Sequence, residues 1–305
     1  MKRANDLGRD PIPSLVLKLA IPTMIAQFVN VLYSIIDRMY IGNIKGVGNL
    51  ALAGVGVCGP IVSLLSSFGT LIGLGGSILM AMKLGEGNKK RASQILSNCF
   101  LMLTVFSLFL TILFLILKDH LLMWFGASDI TFPYANTYLT IYTAGTFFAL
   151  MAMGLNYFIT CQGFSNVGMA TVIVGACTNI ILDPIFIFGF HMDVAGAALA
   201  TVIAQFASCA FAIGFLFSKR VPIRISFGNY SKAIMKRVLT LGLSPFLILA
   251  TDSIIIIVLN TVLQKYGGAT EGDMLISCAL DQCLESVVEH KPSSVIIMER
   301  VPLQE

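Results

Sequence analysis

The sequence specifies an all-α polytopic membrane protein, and three observations lead there. Of its 305 residues, 56% are hydrophobic and 12% charged, with a mean hydropathy of +0.86; soluble domains hold roughly 45–50% apolar and about 25% charged residues. The apolar positions fall in runs of about 20 residues or more, the length a helix needs to cross the hydrocarbon core. The strand-type alternation of an outer-membrane barrel is absent. These features exclude a soluble enzyme, and no nucleic-acid partner is expected.

Seven spans follow in order. The polar opening MKRANDLGRDPIP has no apolar core before a small-residue cleavage site, so no removable signal is expected and the first span, 14–41, stays in the membrane. It carries Pro22, Asn30, Tyr33 and Asp37. The second, 50–83, contains LIGLGGSI; without a preceding strand or a GK[ST] sequel, Gly73, Gly75 and Gly76 read as helix-packing positions rather than a nucleotide loop. The third is 94–117, and the fourth, 133–160, holds Tyr138 and Asn156. The fifth, 167–190, holds Asn179, Asp183 and Pro184; the sixth, 194–217, holds Thr201 after the small-residue run GAALA; the seventh is 238–263. The cysteines are scattered without CxxC or ligand spacing and read as small packing residues.

Charge gives the topology. Lys2, Arg3, Arg9 and Lys18 precede or open the first span, Lys83, Lys89, Lys90 and Arg91 follow the second, and Lys219, Arg220, Arg224, Lys232, Lys236 and Arg237 fill the connection after the sixth. Before the seventh span, only Lys45 and Lys118 lie in the opposite loops. The positive-inside rule therefore expects a multi-pass protein of the cytoplasmic membrane with its N-terminus in the cytoplasm. The basic segment 218–237 also holds Ile223, Ile225, Phe227 and Tyr230, so it reads either as an interfacial element on anionic headgroups or as a solvated connector. Beyond it, 238–255 weakly echoes 15–32; aligning Pro22 with Pro245 sets Asn260 against Asp37, as when a second copy of a six-span unit begins. The echo stops after one span. From 280 the sequence is charged and lacks span-length apolar runs, which is expected of a truncated or frame-altered chain with a poorly ordered tail.

Asp37 and Asp183 sit deep in apolar spans. A carboxylate at the bilayer centre costs roughly 2.5–3.5 kcal/mol on insertion scales, so it is kept where it faces a protein interior or water and has work there. Asn179 and Asp183 are four apart and share a helix face, and Pro184 is expected to unwind the backbone at Asp183, freeing the Ile180 carbonyl. Carboxylate, amide and carbonyl oxygens together suit a hard monovalent cation. The Thr201 hydroxyl is either a further ligand or a hydroxyl bonded back into its own helix. Arg38, next to Asp37, points about 100° away around the helix.

Four segments in order carry a family signature: Pro22 with Asp37, GLGGSILMAMKLGEGNKKRAS, CQGFSNVG, and TNIILDPIFIFGFHMDVAGAALAT. Together they resemble the MATE (multidrug and toxin extrusion) transporters, closest to the bacterial DinF-like branch, over about residues 10–279. The resemblance implies a six-helix N-terminal lobe (1–217), a basic inter-lobe loop (218–237), and the first helix of an incomplete C-terminal lobe with its following loop (238–279); a non-family tail (280–305) remains. It implies an antiporter that exports cationic or amphipathic drugs in exchange for Na⁺ or H⁺, with no other cofactor, with lipid around it and a second lobe as its missing partner. Asp37, Asp183, Asn179, Thr201 and Asn156 would then bind the cation or proton, the first, second, third and fourth of these being the Na⁺ ligands. Asn30, Tyr33 and Tyr138 would line the substrate cavity, and Pro22 and Pro184 would bend their helices. Two readings stand beside this: a fragment that is inactive or needs a partner, and a flippase of lipid-linked precursors, which would want more intramembrane arginine than Arg38. An intramembrane aspartyl protease would need GxGD around its second acid, where this chain has ILDPI.

Overall fold

A computed structural model describes residues 12–219, 221–226 and 228–267, and among them the regular elements are all helical. They are α1 (Ile12–Gly42), α2 (Gly48–Gly85), α3 (Lys89–Trp124), α4 (Phe132–Ala144), α5 (Thr146–Cys161), α6 (Ser165–Pro184), α7 (Asp193–Phe217) and α8 (Lys232–Gly267). α6 runs on into a π-helical turn over Ile185–Gly189. Among the described residues six helices are long and apolar enough to cross a membrane alone, and α4 with α5 meets the same length and composition only when the bent pair is taken together. The polar tail, and the loop expected after the seventh span, lie outside the described residues.

Two boundaries differ from the sequence reading for physical reasons. α3 extends beyond the apolar stretch 94–117 at both ends, because Asn88 caps its start by accepting the Arg91 amide hydrogen (3.0 Å) and its last turns continue through polar residues. Lys118 there snorkels to Asn136 of α4 and to Asp119. The fourth span, expected to be one helix over 133–160, bends by 56° between α4 and α5. Its apolar sequence is continuous, so composition registers no break. The bend falls at Gly145, where a Cβ would sit 2.5 Å from Val202 Cγ2 of α7: absence of a side chain lets the corner seat against α7.

Packing follows the rule for helices in lipid, where close backbone approach replaces a hydrophobic driving force. Gly73 lets α2 meet Gly154 and Tyr157 of α5, and Gly76 accommodates Cys99 of α3 and Phe158 of α5. Gly75 and Gly242 bring α2 and α8 so near that a Cβ on Gly242 would stand 1.8 Å from the Leu71 carbonyl oxygen. The core falls into two apolar regions. One gathers Ile72, Leu103, Leu155 and Phe158 near the end where α2 finishes and α3 begins; the other gathers Ile41, Ile61, Leu139 and Ala197 toward the opposite end. The outer faces are apolar and exposed: Met24, Phe28 and Met39 on α1, Phe109 and Ile116 on α3, Leu247 and Ile255 on α8. Met151 and Phe158, aromatic and methionine positions that also suit a cavity wall, are core residues here.

The basic connection after α7 is not a free connector, and its tail end opens α8 at Lys232. It is an extended strap stitched to the bundle end. Val221, Ile223 and Ile225 alternate inward and are buried, whereas Pro222, Arg224 and Ser226 face out. The Ile223 amide donates to Gln162 Oε1 (3.0 Å), the Ser226 amide to Ser97 Oγ (3.2 Å), and the Ser231 amide to Asn98 Oδ1 (2.8 Å). Gln94 and Asn98 donate in return to the Asn229 carbonyl.

Candidate functional site: a buried acid pair between α1 and α6

α1 is covered chiefly by α6, and Asp37 occupies that covered face. Asp37 is 9% exposed and Asp183 is fully buried, and their carboxyl groups pair with one another. Carboxylate oxygens are acceptors only, so two carboxyl groups bond directly only when a proton lies between them. Without one, two negative charges at such range in a medium of low dielectric need a cation to hold them. The arrangement therefore calls for one positive charge.

Asn179 completes the cluster from α6. Its Nδ2 donates to Asp183 Oδ1 (3.2 Å) and to Thr201 Oγ1 on α7 (3.4 Å), while the Thr201 hydroxyl donates back to the Ala197 carbonyl (3.0 Å). Thr201 is thus bonded into its own helix and joined to the cluster at once. Three buried oxygens of the cluster, Asp37 Oδ1, Asp183 Oδ2 and Asn179 Oδ1, have no hydrogen-bond donor. A buried acceptor left so costs about 1–3 kcal/mol, more when charged. An all-oxygen set fits a hard ion such as Na⁺ or a shared proton. Among the described residues no group of three or more His, Cys, Asp or Glu side chains gathers as a transition-metal site would.

α6 does not unwind at Asp183. It stays helical through Pro184, and the missing amide is absorbed by widening the next turn into π geometry over Ile185–Gly189. That turn sets Phe188 edge-on against Tyr40 of α1, with ring centroids 6.2 Å apart, just beyond the acids. Gly196 allows α7 to lie against the backbone of Phe186, which brings Thr201 alongside Asn179.

A tyrosine pair extends the site along α4. Tyr138 is buried and feels the charge of Asp37, with Tyr33, Cys58 and Tyr142 also around it. Its ring stacks on Tyr142, with centroids 6.1 Å apart and planes within 14°. The side chains of Gln205 on α7 and Ser66 on α2 lie within reach of the Tyr142 hydroxyl. Sequence reasoning misses Tyr142 and Gln205, yet each lies four residues after a candidate, Tyr138 and Thr201, on the same helical face. It misses Asp252 of α8 too. The Oδ2 of that residue is buried without a partner, and its signal is the same as that of Asp37: an acid inside the apolar run FLILATDSIIIIVL.

Asn156 is not part of the cluster. It donates to the Gly168 carbonyl (3.2 Å), which ties α5 to the start of α6, fifteen residues and roughly 22 Å along the helix from Asp183. Type and span suggest a ligand; depth along the helix rules out direct contact. Asn30 is half-buried two turns from Asp37 on the same face of α1. Pro22 is buried within α1, which is helical on both sides of it.

The fold has known counterparts. The MatE family model matches residues 22–185. The multidrug export protein MepA of Staphylococcus haemolyticus is 28% identical over 271 residues, covering 88% of this chain and 60% of that protein. MepA of Staphylococcus aureus is 25% identical over 282 residues, covering 92% and 62%. Among solved structures, the MATE multidrug transporter DinF-BH superposes with a TM-score of 0.86 at 30% identity, over 94% of this chain and 64% of that one. The chain thus spans about three fifths of the length of the curated relatives it matches. A MatE match over more than half the sequence, with the same helical architecture, places this chain in the MATE family of membrane transporters.

Proposed function

We propose that the chain is the ion-handling part of an antiporter that exports cationic or amphipathic drugs across the cytoplasmic membrane, driven by Na⁺ or H⁺. The observation that carries this reading is the set of donorless buried oxygens around Asp37 and Asp183. Asp37, Asp183, Asn179 and Thr201 hold the ion or proton, and Tyr138, Tyr33 and Asn30 border the space that drug enters. Loading the acid pair removes negative charge from this lobe and with it the attraction for a cationic substrate. A ligand that favours one conformation about 10⁴-fold moves an equilibrium from 1:99 to 99:1, a scale within reach of neutralising buried carboxylates. Pro22 and the π turn after Pro184 are the places where α1 and α6 give way. The N-terminus lies in the cytoplasm, in keeping with the lysines and arginines clustered at one end of the bundle. A second lobe packed beside α1 and α8 closes the substrate cavity.

The test is counterflow of a fluorescent organic cation in vesicles, with Na⁺ and pH gradients imposed separately and a second lobe supplied from a full-length relative. One of the two gradients drives uptake with the native chain and neither does with Asp183→Asn. Gradient-driven uptake that survives Asp37→Asn and Asp183→Asn together refutes the reading.

A further inference from the structure

We propose that the strap and the start of α3 form a binding site for the phosphate headgroup of an anionic membrane lipid. A cleft of about 390 Å³ opens between them, lined by Lys90, Ser93, Gln94, Ser226, Gly228 and Asn229. Its charged donor is the Lys90 ammonium; beside it the Ser93 and Ser226 hydroxyls bond to each other at 3.1 Å, and Ser93 donates to the Arg224 carbonyl (3.3 Å). Among the described residues no carboxylate lines it. At the same end of the bundle stand the exposed cations Lys89, Arg91, Arg224, Lys232 and Lys236. The one described carboxylate at this end, Glu86, is held by Lys83 at 2.7 Å and neutralises none of them.

Two further features select a lipid over a soluble anion. The cleft lies at the ends of helices long and apolar enough to cross a membrane, with Lys90 four residues before the apolar stretch 94–117 of α3, about 6 Å along the helix. Tyr230, 48% exposed, and Phe217, 45% exposed, sit at the same end, where amphipathic and apolar rings meet the interface. The walls are also fixed in place. Asn98, fully buried, and Gln162, 6% exposed, hold the strap through the bonds described above. Basic pockets between spans at the cytoplasmic surface are built to take anionic headgroups. The inference depends on membrane embedding and not on the ion site.

The experiment uses the full chain in nanodiscs, with Trp124, at the opposite end, replaced by Phe and Tyr230→Trp as reporter. Quenching is compared for phosphatidylglycerol and phosphatidylcholine, each brominated near the headgroup, in otherwise identical mixtures. Phosphatidylglycerol quenches more strongly, and Lys90→Ala lowers that preference about fivefold, the worth of one basic side chain at an anionic surface. Lys90→Arg and the opposite-end variant Lys45→Ala retain it, and added salt weakens it. Equal quenching by both lipids, or a preference untouched by Lys90→Ala, overturns the proposal. Loss of the preference on adding millimolar inorganic phosphate assigns the cleft to a soluble anion and overturns the lipid.

Discussion

Asn179 is the side chain on which the acid cluster turns. It gives hydrogens to Asp183 and Thr201 and leaves its own oxygen buried without a donor. Replacing it with Ala keeps both acids but removes one oxygen and the bond that fixes Asp183. The expected loss of ion affinity is about tenfold to a hundredfold, as for partners that orient ion ligands, read by isothermal titration with Na⁺ at several pH values. Tyr142→Phe keeps the ring stack on Tyr138 and removes the hydroxyl within reach of Gln205 and Ser66. Expected is a destabilisation of about 1 kcal/mol in thermal unfolding, with binding at the acids altered less than by Asn179→Ala. Were the tyrosine hydroxyl idle, the substitution would leave the unfolding midpoint where it was. The acids themselves are legible in the sequence, since a charge inside an apolar run stands out against its neighbours. Tyr142, Gln205 and Ser66 are not, because uncharged polar residues are ordinary in membrane helices and only the packing of three helices shows which of them meet. Asn156 misleads for the complementary reason: residue type says nothing of depth.

Among the elements, the close crossing of α2 and α8 is the tightest contact. A Cβ on Gly242 would lie 1.8 Å from a backbone oxygen of Leu71, an atom that cannot rotate away. Gly242→Ala therefore forces the helices apart, at about 1–3 kcal/mol by analogy with overpacked cores. A cysteine pair placed across the crossing checks this: its cross-linking slows in the Ala background, whereas unchanged cross-linking would mean that the contact is looser than drawn. The helix boundaries show where sequence reading reaches its limit. Apolar length locates every span, but it splits none of them. The corner at Gly145 arises because Val202 occupies the space a side chain would fill, a fact held on α7 and invisible in 133–160. Likewise Pro184 announces an interruption, and only the folded chain shows that α6 answers with a wider turn rather than an open one.

Over the whole molecule, the strap ties the end of α7 to α3, the end of α5 and the start of α8. Gln162→Leu removes the acceptor for the buried Ile223 amide, which costs about 1–3 kcal/mol. Hydrogen exchange at Ile223 is then expected to quicken about tenfold or more while exchange in α5 holds steady; equal rates in both proteins would show that the strap is held by its isoleucines alone. Charge marks this segment in the sequence, yet its alternating burial emerges only from the surface it lies on. The central claim concerns the acids: Asp37 and Asp183 together hold a single proton or cation inside the lobe. Infrared difference spectroscopy of the purified chain tests it most directly. The account predicts a buried carboxylic acid C=O stretch that disappears when Na⁺ is added or the pH is raised, and that is missing from the Asp37→Asn, Asp183→Asn double variant. A spectrum that is the same with and without the two acids would contradict it.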